Sequence, residues 1–252
     1  ISFSYCFPGS TAEVPAAKTP TTTSTSVVNG SDDKKNPVKL VHASRADFDV
    51  SKMTAKGPRA NADVGQPHDK TLRLGQDGSI RAGTWWCAAG GWPALEPRAT
   101  TEIFYVLKGQ GCLTDLDGMR HYFGPGDVVI LPKGWSGRWD VLEDIHNVWF
   151  VHEHPNIEHE SRPIRVEIAN YNTFAPQYME KLGVRKDAIH GSPSATCRTL
   201  YEVGPTEVGV WTCTTGSFPV NNRPTTECLH VLEGVFFLTN GSDGTARRCV
   251  PG

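Results

Sequence analysis

The chain contains the same motifs twice, and this duplication constrains its fold more than any other feature. GTWWC at 83–87 recurs as GVWTC at 209–213, and PRATTEIFYVLKG at 97–109 recurs as NRPTTECLHVLEG at 222–234. The PG of FGPGD (123–127) recurs as the PG that ends the chain at 251–252. A repeat this long predicts a duplicated domain rather than a solenoid unit.

The repeat also sets the predicted domain boundaries. Because 41–87 and 167–213 have the same length, we place a first domain at 41–155, a linker at 156–166 and a second domain at 167–252. The linker is polar and lacks any apolar period. The first copy continues past its PG by about 25 to 30 residues and the second does not, so we expect the second domain to be truncated.

Two shorter segments complete this division of the chain. Residues 1–38 include TPTTTSTS at 19–26, a composition that cannot bury enough apolar surface to offset the entropy of ordering, and we predict a disordered leader. ISFSYCF at 1–7 is consistent with either a targeting remnant or a cytosolic tail. Ala175–Leu182 is predicted to form a short helix that ends at Gly183.

Composition excludes several classes of protein. The net charge is −2 and no run of Lys or Arg occurs, which argues against nucleic acid or an anionic membrane as a partner. No apolar stretch approaches the roughly 18 residues of a membrane helix. The seven cysteines form no CxxC motif, so we expect reduced thiols in a cytoplasmic protein.

Between residues 71 and 151 the first copy alternates short apolar runs with turn signals. Such spacing, with no helix of ordinary length between the runs, predicts an all-β sandwich or barrel. The predicted strands are 71–74, 83–88, 102–108, 111–116, 119–123, 127–131, 137–142 and 146–151.

The spacing within these strands resembles a known superfamily. Glu102, six residues and Gly109 match the end of the first cupin motif, and Gly126, five residues and Pro132-Lys133-Gly134 match the start of the second. The G-W-x-G-x-W run at 134–139 is similar to the ureidoglycine-aminohydrolase-like or EutQ-like cupins. The resemblance implies two tandem jelly-roll barrels, the second incomplete, each with a site in the barrel mouth.

The same resemblance implies that this chain lacks the usual metal ligands. Cupins commonly hold a divalent metal with three histidines and a glutamate. The histidine positions of the first copy are occupied by Glu96, Arg98 and Gly137, and only Glu102 remains. The equivalent positions of the second copy hold Asn221 and Arg223, ahead of Glu227. A guanidinium cannot ligate a cation, so we expect no metal cofactor in the first barrel.

The repeated Arg-x-x-x-Glu is instead the candidate site for a small molecule. Arg98 and Glu96 of the first copy are candidate substrate-binding residues, and so are Arg223 and Glu227 of the second, the counterparts of Arg98 and Glu102. A guanidinium fork suits a carboxylate, amide or ureido oxygen. Glu102 is the candidate catalytic acid or base. The alternative is a structural ion pair in each barrel.

Aromatic residues of the same strands are candidates for the pocket walls. Flat apolar side chains are typical of small-ligand pockets, although tryptophans of small barrels also serve as core. The candidates for this role are Trp85, Trp139 and Trp149.

The histidines match no standard metal site. HEHPNIEHE at 152–160 could in principle chelate zinc, but its composition is more typical of a solvated connector. Strand alternation places His230 and Glu227 on opposite faces. His121 is predicted to be exposed at a strand edge.

Two functional hypotheses remain open. The chain could be an enzyme of the aminohydrolase-like type, a hydrolase or an isomerase or lyase, acting on a small polar metabolite. It could equally be a non-catalytic small-molecule binding or sensor protein that keeps the barrel without the metal. We also expect that unpaired barrel edges could support a homodimer.

Overall fold

The computed structural model describes residues 2–8, 40–155, 163–221, 223 and 225–252. Within these ranges the chain forms strands and three short 3-10 turns, so the all-β prediction is confirmed. None of the described helical segments has the length and apolar character needed to span a lipid bilayer. The strands of the first half are β1 Ser2–Pro8, β2 Thr54–Pro58, β3 His68–Asp77, β4 Ile80–Cys87, β5 Gly90–Ala94, β6 Thr101–Lys108, β7 Gly111–Asp115, β8 Arg120–Phe123, β9 Val128–Leu131, β10 Gly137–Val141 and β11 Ile145–His152.

The second half repeats this series of strands. The strands β2, β3 and β4 recur with the same lengths and an offset of 126 as β13, β15 and β16. The strands of the second half are β12 Glu167–Ala169, β13 Glu180–Val184, β14 His190–Gly191, β15 Ser194–Val203, β16 Thr206–Cys213, β17 Gly216–Ser217, β18 Thr225–Val231, β19 Phe236–Thr239 and β20 Ala246–Cys249.

Two sheets enclose the interior of the first repeat. One has the order β12-β9-β6-β11-β4-β3-β2 and the other β5-β10-β7-β8, with antiparallel pairing throughout. Strand alternation sends Phe104 and Val106 of β6 into this interior, where they meet Trp92, Leu113 and Trp139 of the smaller sheet. Side chains therefore fill the interior, as expected for a barrel of this size.

The opposite face of the larger sheet packs against the second repeat. Ile103, Val148 and Phe150 lie in one apolar cluster with Tyr201 and Val208 of β15 and β16. Those strands belong to a five-stranded sheet with the order β13-β15-β16-β1-β18. The two repeats thus share a core between their sheets.

The N-terminal segment differs from its prediction. Ser2–Pro8 forms β1, which pairs antiparallel with both β16 and β18, so the disordered leader was wrong for these residues. The open edges of two strands supply backbone partners that composition alone does not reveal. Residues 1 and 9–38 of the predicted leader, and residues 156–162 of the predicted linker, lie outside the described residues.

The predicted helix at Ala175–Leu182 was also wrong. The chain makes a single 3-10 turn at Pro176–Tyr178 and then enters β13, where Glu180–Val184 pairs with β15. Ladder hydrogen bonds to a neighbouring strand outweigh the weak helical preference of so short a segment.

Candidate functional site

The Arg98–Glu102 pair lies on the inner side of the larger sheet, at one end of the first repeat. Glu102 stands beside Leu131 of β9 and Val151 of β11 in the strand register, and it shares the inward parity of Phe104. Two backbone hydrogen bonds hold Arg98. Its N–H donates to the Trp135 carbonyl at 3.0 Å, and its carbonyl accepts from the Gly134 N–H at 2.8 Å. The loop that contains the G-W-x-G-x-W run therefore positions the arginine.

The two side chains form an ion pair that is only partly exposed. The Nη2 of Arg98 donates to Oε2 of Glu102, and the side chains are 25% and 18% exposed. The Nε of Arg98 is buried and has no hydrogen-bond partner among the described residues. A buried donor without a partner is costly, so this guanidinium retains capacity for a further acceptor.

The second repeat reproduces the pair in a more open setting. Arg223 pairs with Glu227, which lies on β18. Burial raises the pKa of Glu227, and Arg223 opposes that rise. The cleft beside this pair has a volume of about 340 Å³ and is lined by Arg185, Asp187, Pro219, Val220, Asn221, Arg223 and Thr225.

A second arginine also recurs in both repeats, outside the motifs that indicated the Arg–Glu pair. The guanidinium of Arg185 lies 4.1 Å from the ring centre of Phe218 and donates to both carboxylate oxygens of Asp187, at 2.9 and 2.7 Å. In the first repeat Arg59 lies 4.2 Å from the ring centre of Trp92. Arg59 and Arg185 are separated by the repeat offset of 126, and so are Trp92 and Phe218. This coincidence is the signal by which the sequence could have revealed the repeated arginine.

The carboxylate partner of the first-repeat arginine differs from that of the second. Arg59 donates to Oδ2 of Asp69 at 2.7 Å, and the indole N–H of Trp85 donates to the same oxygen at 2.9 Å. The predicted wall residue Trp85 is therefore tied to this ionic cluster rather than to the Arg98–Glu102 pair.

The other predicted wall residues lie deeper in the barrel. Trp139 is only 7% exposed and contacts four aromatic rings, those of Trp85, Trp92, Phe104 and Phe123. Trp149 is partly buried and covers Gly83, where a Cβ would come within 2.2 Å of the indole. Trp139 thus occupies a core position in this structure, and its role as a ligand wall stays a prediction.

The residues at the usual cupin ligand positions do not fit a metal ion. Glu96 is exposed, and Arg98 is paired with Glu102. A Cβ on Gly137 would lie 2.2 Å from the Thr114 carbonyl oxygen and 2.6 Å from the Trp135 ring, so this position has no room for a ligating side chain. In the described part of the chain, no three His, Cys, Asp or Glu residues gather into a metal-binding group.

The connector histidines are buried, which corrects the prediction of a solvated segment. His152 is 5% exposed and its Nδ1 lies 2.8 Å from the hydroxyl of Thr206 in the second repeat. His154 lies 2.9 Å from the hydroxyl of Thr101. The contact with Thr206 places His152 against the second repeat, and local composition cannot show that. His159 lies outside the described residues.

His121 also departs from its prediction of exposure. Its Nε2 lies 2.7 Å from Oδ2 of Asp115, a buried carboxylate that accepts a hydrogen bond from the Trp135 indole at 2.7 Å. This network supports the loop that holds Arg98. The aromatic ring of His230 packs on Tyr105 between the repeats, with the ring centres 4.3 Å apart, on the face of β18 opposite Glu227.

Asn147 is a further polar residue that the motifs did not indicate. It is 1% exposed on β11, in register with Trp85 and Val106, and neither its Oδ1 nor its Nδ2 has a hydrogen-bond partner in the described structure. The available signal was a polar side chain at an inward position of an otherwise apolar strand.

One family model matches part of the first repeat. Residues 74–148 match the family model of the EutQ-like cupin domain. None of the curated proteins matches the sequence. Because the family match covers one repeat, it carries no assignment for the rest of the chain.

Solved structures similar to the chain are distant. A Pseudomonas syringae protein of unknown function is 18% identical with a TM-score of 0.37, over 39% of this chain and 43% of its own. The EutQ protein of Clostridium difficile is 17% identical with a TM-score of 0.32, over 34% and 69%. The cupin domain of Schizosaccharomyces pombe Cnp3 is 18% identical with a TM-score of 0.31, over 34% and 65%. These scores carry no argument about function, and what the comparisons show is that residues 74–148 are similar to the EutQ-like cupin domain.

Proposed function

We propose that the chain binds a small polar metabolite, with a carboxylate, amide or ureido group, beside the repeated Arg–Glu pair. We further propose that 167–252 is a second cupin domain, so that the chain has a tandem arrangement. The coincidence of strand lengths at an offset of 126 supports this second proposal.

The observation that carries the proposal is the pairing of Arg223 with Glu227 beside the cleft of about 340 Å³. A volume of this size suits a small ligand. Arg223 and Arg185 bring guanidinium donors to this lining, paired with the carboxylates of Glu227 and Asp187. Asn221 and Thr225 add polar side chains to it. A guanidinium fork binds planar oxygen pairs in two parallel hydrogen bonds, which favours a carboxylate or a ureido carbonyl.

The first repeat offers the same pair in a tighter setting. The Arg98 side chain is 25% exposed, so part of it can meet a ligand oxygen, and Glu102 supplies an acceptor next to it. We propose that this end of the first repeat binds the same chemical group with less space around it.

A catalytic role is the second candidate, favoured by the environment of Glu227. Burial raises the pKa of its carboxyl group, and a raised pKa is the direction of shift that favours a carboxyl group as a general acid. With a ureido or amide substrate held by Arg223, Glu227 would act as the acid or base of an aminohydrolase-like reaction. Glu102 would have the equivalent role in the first repeat.

Calorimetry with matched variants tests the binding proposal. Short hydroxycarboxylates, ureido acids and primary amides are titrated into the full chain, into Arg223→Met and into Arg247→Met, whose arginine is exposed. Because the Arg223 side chain is 39% exposed, solvent screens its charged contact, and Arg223→Met is expected to weaken binding by about fivefold, or about 1 kcal/mol. Equal affinity in all three proteins refutes the proposal.

Turnover separates the two candidates. Ammonia release from the ligand that binds best is measured for the wild-type chain and for Glu227→Gln. Release that disappears in Glu227→Gln, with binding retained, supports an enzyme. Binding without any turnover supports the sensor or binding protein.

A further inference from the structure

We propose that the first repeat contains a binding site for a small guanidinium compound, and that the side chain of Arg59 is its internal competitor. Asp69 of β3, Trp85 of β4 and Trp92 of β5 form this site, and we call these three residues the cation cage. The cage is separate from the Arg–Glu pairs, so the proposal does not depend on the function proposed above.

The cation cage has the chemistry that binds a planar cation. The guanidinium carbon of Arg59 lies 4.2 Å from the ring centre of Trp92 and 5.8 Å from that of Trp85. The Nη2 of Arg59 donates to Oδ2 of Asp69 at 2.7 Å. An indole face attracts a cation through the ring quadrupole, and a carboxylate forms charge-assisted hydrogen bonds with it. The cage therefore favours a cation over a neutral or anionic group.

Packing inside the barrel holds the cage walls in place. Trp92 is 4% exposed and stacks on Trp139 with the ring centres 5.9 Å apart. Trp85 meets the same Trp139 edge-on at 5.7 Å, and its indole N–H donates to Oδ2 of Asp69 at 2.9 Å. None of these contacts involves Arg59, so we expect the walls to keep their positions when the arginine leaves.

Arg59 reaches the cation cage from the periphery of the sheet. It follows Pro58, the last residue of β2, and β2 is an edge strand of the larger sheet. Its side chain is 30% exposed, and in the described structure it pairs with Asp69 through a single hydrogen bond. A free guanidinium can pair with a carboxylate through two parallel hydrogen bonds. A ligand can therefore make a contact with Asp69 that Arg59 does not make.

The second repeat distinguishes the arginine from the site that it fills. Arg185 lies 4.1 Å from the ring centre of Phe218, and its carboxylate partner is Asp187, two residues along the same segment. The counterpart of Asp69 at the offset of 126 is Ala195. The repeated arginine therefore needs no carboxylate on the barrel wall. Asp69 is an additional feature of the first repeat, and it is the feature that a cation ligand requires.

Competition with Arg59 sets the expected affinity. The end of one arginine side chain fills the cation cage, so a small guanidino compound matches its size. Because Arg59 is tethered, it competes at an effective concentration on the order of millimolar. The apparent affinity of a ligand is reduced by the fraction of sites that the competitor leaves free. If Arg59 fills the cage for about nine-tenths of the time, its removal raises the affinity about tenfold.

Calorimetry with methylguanidinium as the probe tests the proposal. The probe is titrated into the full wild-type chain, into Arg59→Ala and into the control Arg73→Ala, whose arginine lies exposed on β3. Arg59→Ala is expected to bind about tenfold more tightly than the other two proteins. Asp69→Asn in the Arg59→Ala background is expected to abolish this gain. Equal affinity in Arg59→Ala and the wild type, or a gain that survives Asp69→Asn, overturns the proposal.

A measurement on the wild-type chain covers the case in which Arg59→Ala does not fold. The Nε–Hε resonance of Arg59 is followed by NMR while methylguanidinium is added to about 10 mM, above the millimolar effective concentration of the tethered side chain. Urea, which is planar and uncharged, is the matched control ligand. A saturable shift of the Arg59 resonance with methylguanidinium alone supports displacement from the cation cage. An unchanged Arg59 resonance, or an equal shift with urea, contradicts it.

Discussion

Acidification is expected to destabilise the contact between the two repeats, because two buried histidines there must gain a charge. Burial lowers the pKa of His230 from 6.5 to about 4. Burial, with His154 nearby, lowers the pKa of His152 from 6.5 to about 4 as well. Between pH 6.5 and pH 4 the unfolded chain therefore binds more protons than the folded one. The stability contributed by the neutral rings is full above pH 6.5 and is lost as the pH falls towards 4.

The magnitude follows from the two pKa values. At pH 5, a histidine with a pKa of about 4 when folded and 6.5 when unfolded lowers the free energy of unfolding by about 2 kcal/mol. Both rings together give about 4 kcal/mol, a large part of the stability of an ordinary domain. Glu167 and Glu227, whose pKa values are raised, oppose this loss because protonation favours their folded form.

Urea unfolding followed by tryptophan fluorescence at pH 8, 7, 6 and 5 measures the effect. His230→Phe keeps an aromatic ring against Tyr105 and removes the titrating group, so its loss of stability from pH 8 to pH 5 is expected to be smaller than that of the wild type by about 2 kcal/mol. The exposed His42 provides the control His42→Phe. A pH dependence in His230→Phe equal to that of the wild type would refute the reasoning.

Three other predictions concern the first repeat. Trp139→Ala is expected to cost about 3–5 kcal/mol of unfolding free energy because it opens a cavity among aromatic rings, whereas Tyr122→Ala on the surface leaves the urea midpoint nearly unchanged. Asn147→Leu is expected to raise that midpoint, since it removes two buried groups without partners; a lower midpoint would contradict this. Elemental analysis of the purified chain is expected to show no stoichiometric metal in the first repeat. About one equivalent that is lost in Glu102→Ala would contradict this expectation.

The strands of the first repeat could be predicted because their signals are local. In β6, Phe104 and Val106 alternate with Ile103 and Tyr105, and Gly109 ends the strand in a left-handed turn with φ of 82°. β5 was missed because GGWPA at 90–94 has weak strand propensity, and its pairing with β10 is long-range. The pairing of β1 is also long-range, because its partners lie 200 residues away or more, and so β1 was missed as well.

The candidate site was only partly accessible to sequence reasoning. The Arg98–Glu102 pair could be predicted because both residues belong to a motif that recurs in the second repeat. The burial of His152 could not, because it depends on Thr206, a residue 54 positions away in the other repeat. Asn147 required knowledge of which strand face is inward, and this became clear only from the packing of β11 between β4 and β6.

Arginine side-chain NMR tests the central claim, ligand binding by the repeated Arg–Glu pair, most directly. Nε–Hε resonances are followed while ureido acids, carboxylates and primary amides are titrated into the full chain. The account predicts a saturable shift for Arg98 and Arg223 with at least one of these ligands, and no shift for the exposed Arg247. If no ligand of the three classes shifts Arg98 or Arg223, or if Arg247 shifts equally, the pair is structural and the proposed function is wrong.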